Sequence, residues 1–295
     1  MSSQLKNNLK RCTPPILVNK TKDLINYIDF LKYKEVVKNN VKLKDKHKGG
    51  RCFLLGSGPS IKDENLKPLK NEIVFALNNF YVHDDFPEIM SGDVEKYYMT
   101  APLHPPQTET EWKEWFSDME NNMPNNVNLI FGISNQINTA KIIMDRHNLF
   151  EDHQKYWFYG GININDYYNY KLRDIDITRM IWIADTVSIY SLIFAIYMGF
   201  SEIYLLGMDH NYICNNESNY RFYKNGIHQN NEVERIIKGY SRTKHLSFGM
   251  YKIFQQYELL TNNSHTKIYN SSRNSLLDIF NYVKLEDVIN NKFIC

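Results

Sequence analysis

The sequence predicts an α/β fold, namely a single Rossmann-like domain with a mostly parallel sheet flanked by helices, plus a lid segment. Three short apolar runs have the length and composition of buried strands, at 52–55, 73–77 and 203–206. Segment 186–198 is apolar on nearly all sides and is followed by Gly199, which is typical of a buried helix that ends at a glycine. A buried helix that leads into a buried strand indicates a βαβ unit, and such units build parallel sheets.

Small and polar residues follow each apolar run. Residues 56–60, which we call the glycine turn, follow the first run and precede a helix-competent stretch at 61–70; their members are Gly56, Ser57, Gly58, Pro59 and Ser60. Asn78 and Asn79 follow the second run, and Gly207 and Asp209 the third. Ligands of open α/β sheets bind beyond the carboxyl ends of the strands, so we expect a site at this edge.

The glycine turn has the features of an anion-binding turn. A small-residue turn between a strand and a helix leaves backbone N–H groups that can hold a phosphate. The turn lacks the Gly-Lys-Ser/Thr of a P-loop and the third glycine of a dinucleotide fingerprint. It therefore indicates a class of site without naming the ligand, and an ordinary βα turn remains the alternative.

Four motifs together carry a family resemblance. They are the glycine turn, segment 78–81, Thr186 followed at helix length by segment 198–209, and segment 268–277. Their order and spacing resemble those of the bacterial sialyltransferases of glycosyltransferase family 42. They are also similar to the wider superfamily that includes flagellin nonulosonate transferases and archaeal 6-hydroxymethylpterin pyrophosphokinases. The resemblance covers residues 50–280.

The resemblance implies an enzyme that transfers a nonulosonic acid from a CMP-sugar donor to a surface glycan acceptor, by a metal-independent inverting displacement. It implies that the glycine turn contacts the nucleotide and that Asn78 and Asn79 contact the cytidine phosphate and ribose region. Thr186 would contact the cytosine end, while Gly207 and Asp209 would close the same pocket. No cofactor is implied beyond the donor itself.

Tyrosines and a histidine would carry the chemistry. Neutral hydroxyl donors can stabilise the charge that develops on a departing phosphate, and the candidates are Tyr212, Tyr220 and Tyr223. A histidine is suited to take the acceptor proton because its ordinary pKa lies near neutrality. The resemblance assigns this role to His245, from its distance to segment 274–277, and His210 is the competing candidate.

Three positions depart from the family pattern. Ala184 stands where the sialyltransferases have an arginine, and the nearest arginine is Arg179. An aromatic pair is replaced by segment 210–212. Segment 99–106 takes the place of a second asparagine-bearing loop, where Thr100 is our nucleotide-binding candidate and His104 a weaker one.

Two other functions stay open. A pyrophosphokinase-type enzyme would use ATP and magnesium, with Asp209 and Asp185 as metal ligands. A non-catalytic member of the superfamily would bind a nucleotide or a partner protein. Asp174 and Asp176 have the spacing of a metal-binding pair, but they lie in a polar segment, so we interpret them as solvated and predict no metal site.

The N-terminal region is basic. Residues 1–51 hold 13 Lys/Arg against 4 Asp/Glu. We predict a helical extension over 1–50 that contains an amphipathic helix at 23–37, whose apolar positions are Leu24, Ile25, Ile28, Leu31 and Val36. We favour packing of this helix on its own domain with its lysines in solvent, and peripheral contact with an anionic membrane is the alternative.

The remaining expectations concern organisation and location. The catalytic domain should span 51–285, with a lid at about 211–242 and a tail at 286–295. Scattered cysteines (Cys12, Cys52, Cys214 and Cys295) fit a reducing cytoplasm, and the protein could act at the inner face of the membrane. No nucleic-acid partner is expected, and self-association stays open.

Overall fold

Nine parallel strands form one sheet in the computed structural model, which describes residues 15–105, 107–134, 139–164, 166–167, 170, 175–214, 221–223, 242–262 and 264–290, without the side chains of 15–19 and 242. The strands are β1 (Arg51–Leu55), β2 (Val74–Leu77), β3 (Lys96–Thr100), β4 (Val127–Ile133), β5 (Lys155–Ile162), β6 (Met180–Trp182), β7 (Glu202–Leu206), β8 (Lys267–Asn270) and β9 (Asn281–Tyr282). Every neighbouring pair is parallel. The predicted α/β fold class is confirmed.

The strand order places a topological switch point in the middle of the sheet. The order is β6-β5-β4-β3-β2-β1-β7-β8-β9, so the chain builds outward from β1 to one edge and then returns to the other side of β1. β1 and β7 pair from Arg51 opposite Glu202 to Leu55 opposite Leu206. A crevice opens where the connections of two adjacent strands diverge, which makes the ends of β1 and β7 the expected ligand position.

Eight α-helices accompany the sheet within the described residues. They are α1 (Pro15–Phe30), α2 (Lys34–Lys38), α3 (Phe86–Met90), α4 (Glu109–Asn121), α5 (Ala140–His147), α6 (Val187–Tyr197), α7 (Arg242–Asn262) and α8 (Leu285–Ile289). Short 3₁₀ helices occupy Asn39–Leu43, Pro59–Asp63, Lys67–Asn71 and Asn78–Val82. The stretch at 61–70 therefore forms parts of two 3₁₀ turns and not one longer helix.

Two apolar clusters cover the two faces of the sheet. Phe53 and Leu55 of β1 belong to one cluster, and Cys52 and Leu54 belong to the other, as the alternation of strand side chains requires. Helix α6, predicted as the buried helix before β7, packs in the second cluster with nearly all of its residues buried. Helix α4 packs in the first and begins at a capping box between Thr108 and Glu111.

The N-terminal helices α1 and α2 pack on the sheet against β5. The amide of Asn26 on α1 donates to the carbonyl of Gly161 at 2.6 Å, and the amide of Asn40 donates to Trp157 and Ile177 at 2.7 and 2.8 Å. The predicted single helix at 23–37 is broken into α1 and α2. The helix was expected to pack on the domain with its lysines exposed, and it does. It packs through a different face from the expected one, because the apolar positions at 24, 25, 28 and 31 are exposed.

The C-terminal boundary also differs from expectation. Helix α8 begins at Leu285, the last residue before the predicted tail at 286–295, and buries Leu285 and Val288. The guanidinium of Arg51 donates to the carbonyl of Val288 at 3.3 Å. Residues 286–290 are therefore part of the packed fold, while 291–295 lie outside the described residues.

Cys52 and Cys214 are free thiols, the first buried and the second exposed, and burial raises the pKa of the Cys52 thiol. Cys12 and Cys295 lie outside the described residues. Within the described part of the chain, no helix has the length and apolar content needed to cross a bilayer.

Candidate functional site at the switch point of the sheet

A cavity of about 780 Å³ opens at the carboxyl edge of the sheet, around the ends of β1 and β7. Residues that follow each of the strands β1 to β7 contribute to its wall, together with α1, the start of α6 and the first half of α7. Eight of the predicted site residues line it: Gly56, Ser57, Gly58, Asn78, Thr186, Gly207, Asp209 and Tyr212. Motifs that are far apart in the sequence thus meet at one cavity.

The glycine turn is fixed against the loop that follows β7. The N–H of Gly56 donates to the carbonyl of Leu206 and the N–H of Gly58 to the carbonyl of Gly207, both at 2.8 Å. A Cβ on Gly56 would lie 2.5 Å from the Gly207 oxygen, and one on Gly58 would lie 2.6 Å from the Asp209 carboxylate. The glycines are required because the two loops touch, and the N–H groups of Gly56 and Gly58 are not available to a phosphate.

Asp209 fixes the last residue of the glycine turn, Ser60. Its buried carboxylate accepts from the N–H of Ser60 at 2.8 Å and from the Ser60 hydroxyl. Burial raises the pKa of Asp209, and the two bonds from Ser60 oppose that shift. A carboxylate of the protein therefore occupies the place at the 3₁₀ helix where the sequence predicted a phosphate, and Pro59 and Ser60 do not line the cavity.

Segment 268–277 fixes the loop after β7 through hydrogen bonds. The N–H of Met208 donates to the Ser272 hydroxyl at 3.0 Å, and the Ser275 hydroxyl donates to the carbonyl of Met208 at 2.8 Å. The N–H of Leu276 donates to the carbonyl of Asp209 at 2.9 Å. Segment 268–277 therefore positions Asp209 without lining the cavity.

Residues 221–223, which we call the lid stem, lie on the glycine turn. The N–H of Phe222 donates to the carbonyl of Ser57 at 3.1 Å, and Nη1 of Arg221 donates to the Ser57 hydroxyl at 2.6 Å. The Asn79 amide donates to the Tyr223 hydroxyl at 3.1 Å. Tyr220 and the other lid positions at 215–219 and 224–241 lie outside the described residues.

A smaller cavity of about 110 Å³ continues from the main one past Asn78 and Arg221. We call it the aromatic subsite, because its wall includes Trp112, Trp115, Tyr223 and His104. The Trp115 indole N–H donates to Asn79 Oδ1 at 2.6 Å, so Asn79 connects this wall to the lid stem. Gln107 also lines the subsite, and its buried Oε1 has no hydrogen-bond partner among the described residues.

His210 forms part of the cavity wall directly after Asp209. It is buried, with a φ of 49°, and its Nε2 lies 3.0 Å from the Tyr257 hydroxyl. That hydroxyl lies 2.6 Å from the Ser188 hydroxyl, which lies 3.2 Å from Oγ1 of Thr186. Burial lowers the pKa of His210 to about 4, so its imidazole is neutral at pH 7. Nδ1 is buried without a partner among the described residues.

Thr100 and His245, like Pro59 and Ser60, do not reach the cavity. His245 is exposed near the start of α7, whereas Leu246 and Ile253 of that helix line the cavity. Thr100 is fully buried at the end of β3, and the chain meets the cavity at the next residue, Ala101. The expected contacts of Thr100 with a nucleotide and of His245 with the cavity are therefore wrong for this conformation.

The arginine that reaches the cavity is not the one nearest to Ala184 in the sequence. Ala184 lines the cavity, but Arg179 is exposed, does not line it, and pairs with Asp176 at 3.0 Å. Of the cavity-lining residues that the structure describes, Arg221 is the arginine. Sequence reasoning missed it because it lies in a lid with no recognisable motif. Its place next to Tyr220 and Tyr223 was the available signal.

Among the described residues, the carboxylates of Asp185 and Asp209 line the main cavity, and both have protein partners. Asp185 accepts from the Gln256 amide at 2.6 Å and pairs with Lys252 at 3.4 Å, while Asp209 accepts from Ser60. Asp176 accepts from the N–H of Thr178 at 2.9 Å, and Asp174 lies outside the described residues. The described residues contain no group of three or more His, Cys, Asp or Glu side chains that could hold a metal ion.

Comparisons with protein-family models, curated proteins and solved structures gave no match to this chain. The family resemblance therefore depends on the motifs quoted above.

Proposed function

We propose that the chain is a glycosyltransferase that binds a CMP-linked nonulosonic acid in the main cavity and transfers the sugar to a glycan. The convergence of the motifs carries this proposal: residues 56–58 of the glycine turn, Asn78, Thr186 and segment 207–209 come from separate parts of the chain and line one cavity. The cavity lies at the switch point, where open α/β folds bind nucleotides.

The polar groups of the cavity suit an anionic donor. A CMP-linked nonulosonic acid carries a phosphate and a carboxylate, and the wall supplies the Arg221 guanidinium, the Ser57 hydroxyl and the Tyr212 hydroxyl. Hydrogen bonds from a guanidinium to such groups are charge-assisted and stronger than neutral ones. We assign Arg221 to the anionic part of the donor, in place of the arginine that is replaced by Ala184.

Hydroxyl and amide donors can stabilise the leaving phosphate without a cation. Tyr212 lines the main cavity and Tyr223 the adjoining subsite, where the Asn79 amide fixes the Tyr223 hydroxyl. Fixed donors that are aimed at a developing negative charge lower the barrier because they need no reorganisation during the reaction. Tyr220 stays a candidate for the same role from the sequence.

We assign the proton acceptor to His210. It lines the cavity, whereas His245 is exposed and does not line it. The lowered pKa makes His210 a weak base. Negative charge on a bound donor would raise that pKa towards neutrality, where a histidine is an effective acceptor.

The acceptor sugar is assigned to the aromatic subsite. The indoles of Trp112 and Trp115 offer apolar ring surface, and Gln107 Oε1 can accept from a sugar hydroxyl. The subsite adjoins the main cavity at Arg221 and Asn78, so an acceptor held there would extend its reacting hydroxyl into the main cavity, where His210 lies.

Turnover in the presence of a chelator tests the proposed function. Purified protein with CMP-sialic acid, a mixture of glycan acceptors and EDTA should release CMP, because the proposed stabilisation uses side chains. ATP hydrolysis or pyrophosphoryl transfer that depends on magnesium would instead favour the pyrophosphokinase alternative, with Asp185 and Asp209 released from their present partners to bind metal. Nucleotide binding without either reaction would favour a non-catalytic member.

A further inference from the structure

Four hydrogen-bonded side chains connect two parts of the cavity wall. His210 Nε2 lies 3.0 Å from the Tyr257 hydroxyl, which lies 2.6 Å from the Ser188 hydroxyl. The Ser188 hydroxyl lies 3.2 Å from Oγ1 of Thr186. His210, Ser188 and Thr186 line the cavity, whereas Tyr257 is fully buried and does not line it. We call this series, from His210 to Thr186, the buried polar chain.

The position of the proton on the His210 ring fixes the direction of the buried polar chain. A neutral imidazole carries one N–H group, at either Nδ1 or Nε2. Nδ1 is buried without a partner among the described residues, so a proton there would leave an N–H donor unpaired. A proton on Nε2 is instead donated to the Tyr257 oxygen, and only a lone pair at Nδ1 is left unpaired. The environment therefore favours the tautomer with its proton on Nε2.

This tautomer orients each hydroxyl of the buried polar chain. The Tyr257 oxygen accepts from His210, so its O–H donates to Ser188. The Ser188 oxygen accepts from Tyr257, so its O–H donates to Oγ1 of Thr186. Thr186 is the N-cap residue of α6, yet its side chain accepts no capping hydrogen bond from that helix. The Thr186 proton can therefore be donated to a molecule in the cavity.

We infer that the buried polar chain fixes the Thr186 hydroxyl as a hydrogen-bond donor towards the ligand, with Tyr257 and Ser188 as positioning residues. The wall at Thr186 then selects an acceptor atom of the ligand and disfavours a donor. The inference rests on the proposed function, with Thr186 at the cytosine end of the sugar nucleotide. Cytosine offers acceptors at its O2 carbonyl and its N3 ring nitrogen, whereas its exocyclic amino group is a donor. Thr186 should therefore face O2 or N3 and not the amino group.

A double-mutant cycle, measured by isothermal titration with CMP, tests the inference. Tyr257→Phe removes the donor to Ser188, so that Ser188 can accept the Thr186 proton and divert it from the ligand. Tyr257→Phe and Thr186→Val should each weaken CMP binding about three- to tenfold, because each removes one neutral hydrogen bond to the ligand. In the Thr186→Val background, Tyr257→Phe should have no further effect on CMP affinity. Tyr97→Phe is the matched control, since its buried hydroxyl also pairs with a histidine, His47 Nε2 at 2.8 Å, but does not line the cavity.

Ring-nitrogen NMR of the wild type tests the direction of the buried polar chain without any ligand. At pH 7 the His210 ring, assigned by the loss of its signals in His210→Gln, should carry its proton on Nε2, and a proton on Nδ1 would overturn the inference. Additive effects of Tyr257→Phe and Thr186→Val, or wild-type CMP affinity in Tyr257→Phe, would overturn it while the proposed function stands. Absence of CMP binding would overturn the proposed function together with the contact at Thr186, and the tautomer would still decide the direction of the chain.

Discussion

Replacing the buried His210 should remove a part of the acid sensitivity of folding. Burial lowers the pKa of His210 to about 4, from the ordinary value of 6.5 that it regains on unfolding. Between these two values the unfolded chain binds a proton that the native chain does not. Stability must therefore decrease as the pH falls through this window, and it is insensitive to this group above pH 6.5.

The size of the effect follows from the two pKa values. They differ by about two and a half pH units, and each unit corresponds to about 1.4 kcal/mol, so the wild type should lose about 3 kcal/mol of unfolding free energy through His210 between pH 7 and pH 4. This is a large fraction of the stability of a typical protein. The glutamine in His210→Gln does not titrate, so the variant should not show this loss of unfolding free energy.

Urea unfolding at pH 7, 6, 5 and 4 measures the difference. Other groups titrate in both proteins, among them Asp209 with its raised pKa and the half-buried His47 and His83 with lowered pKa values. Their contributions largely cancel when the variant is subtracted from the wild type. His104→Gln is the matched control, because His104 lines the same cavity but is exposed, and it should leave the wild-type pH profile intact.

Parallel stability profiles for the wild type and His210→Gln from pH 7 to pH 4 would refute the reasoning. The imidazole would then titrate as it does in water, and the native chain would have to admit solvent to Nδ1. A ring proton resonance of His210 that titrates near pH 6.5 in the folded protein would lead to the same conclusion.

Three further predictions concern the site and the residues that support it. Gly58→Val should lower the unfolding free energy by about 1–3 kcal/mol in urea titrations, because its Cβ would lie 2.6 Å from the Asp209 carboxylate, and unchanged stability would contradict the close approach of the two loops. In transfer assays, His210→Gln should reduce kcat/KM by about 10²- to 10⁴-fold while His245→Ala stays near wild type, and the opposite result would return the base to His245. Ser275→Ala should weaken nucleotide binding in calorimetry although it does not line the cavity, since it removes a donor to the carbonyl of Met208, and full affinity would argue against a positioning role.

The fold was predictable because its signals are local. The apolar runs at 52–55, 73–77 and 203–206 became β1, β2 and β7, and the apolar segment at 186–198 became α6. Strands that are buried on both faces need apolar residues at consecutive positions, so their composition identifies them without knowledge of their partners. The position of a ligand cavity at the strand ends followed from the same topology.

The contacts within the site were not predictable, because they join residues that are distant in the sequence. Nothing in the glycine turn shows that its N–H groups bond to Leu206 and Gly207, or that Asp209 replaces the expected phosphate at Ser60. The face of α1 was misjudged for a related reason. Periodicity indicates an apolar side, but a buried hydrogen bond from Asn26 to Gly161 selects the other side for packing.

Isothermal titration with CMP tests the central claim most directly, namely that the cavity at the switch point binds the nucleotide of a CMP-sugar. The wild type should bind CMP in the presence of EDTA, and Arg221→Gln should bind it at least about tenfold more weakly, because a charge-assisted hydrogen bond contributes about 1.5–3 kcal/mol. Arg146→Gln, which changes an exposed arginine on α5 paired with Glu109, should retain wild-type affinity. Absence of CMP binding, or equal affinity in the wild type and Arg221→Gln, would contradict the account.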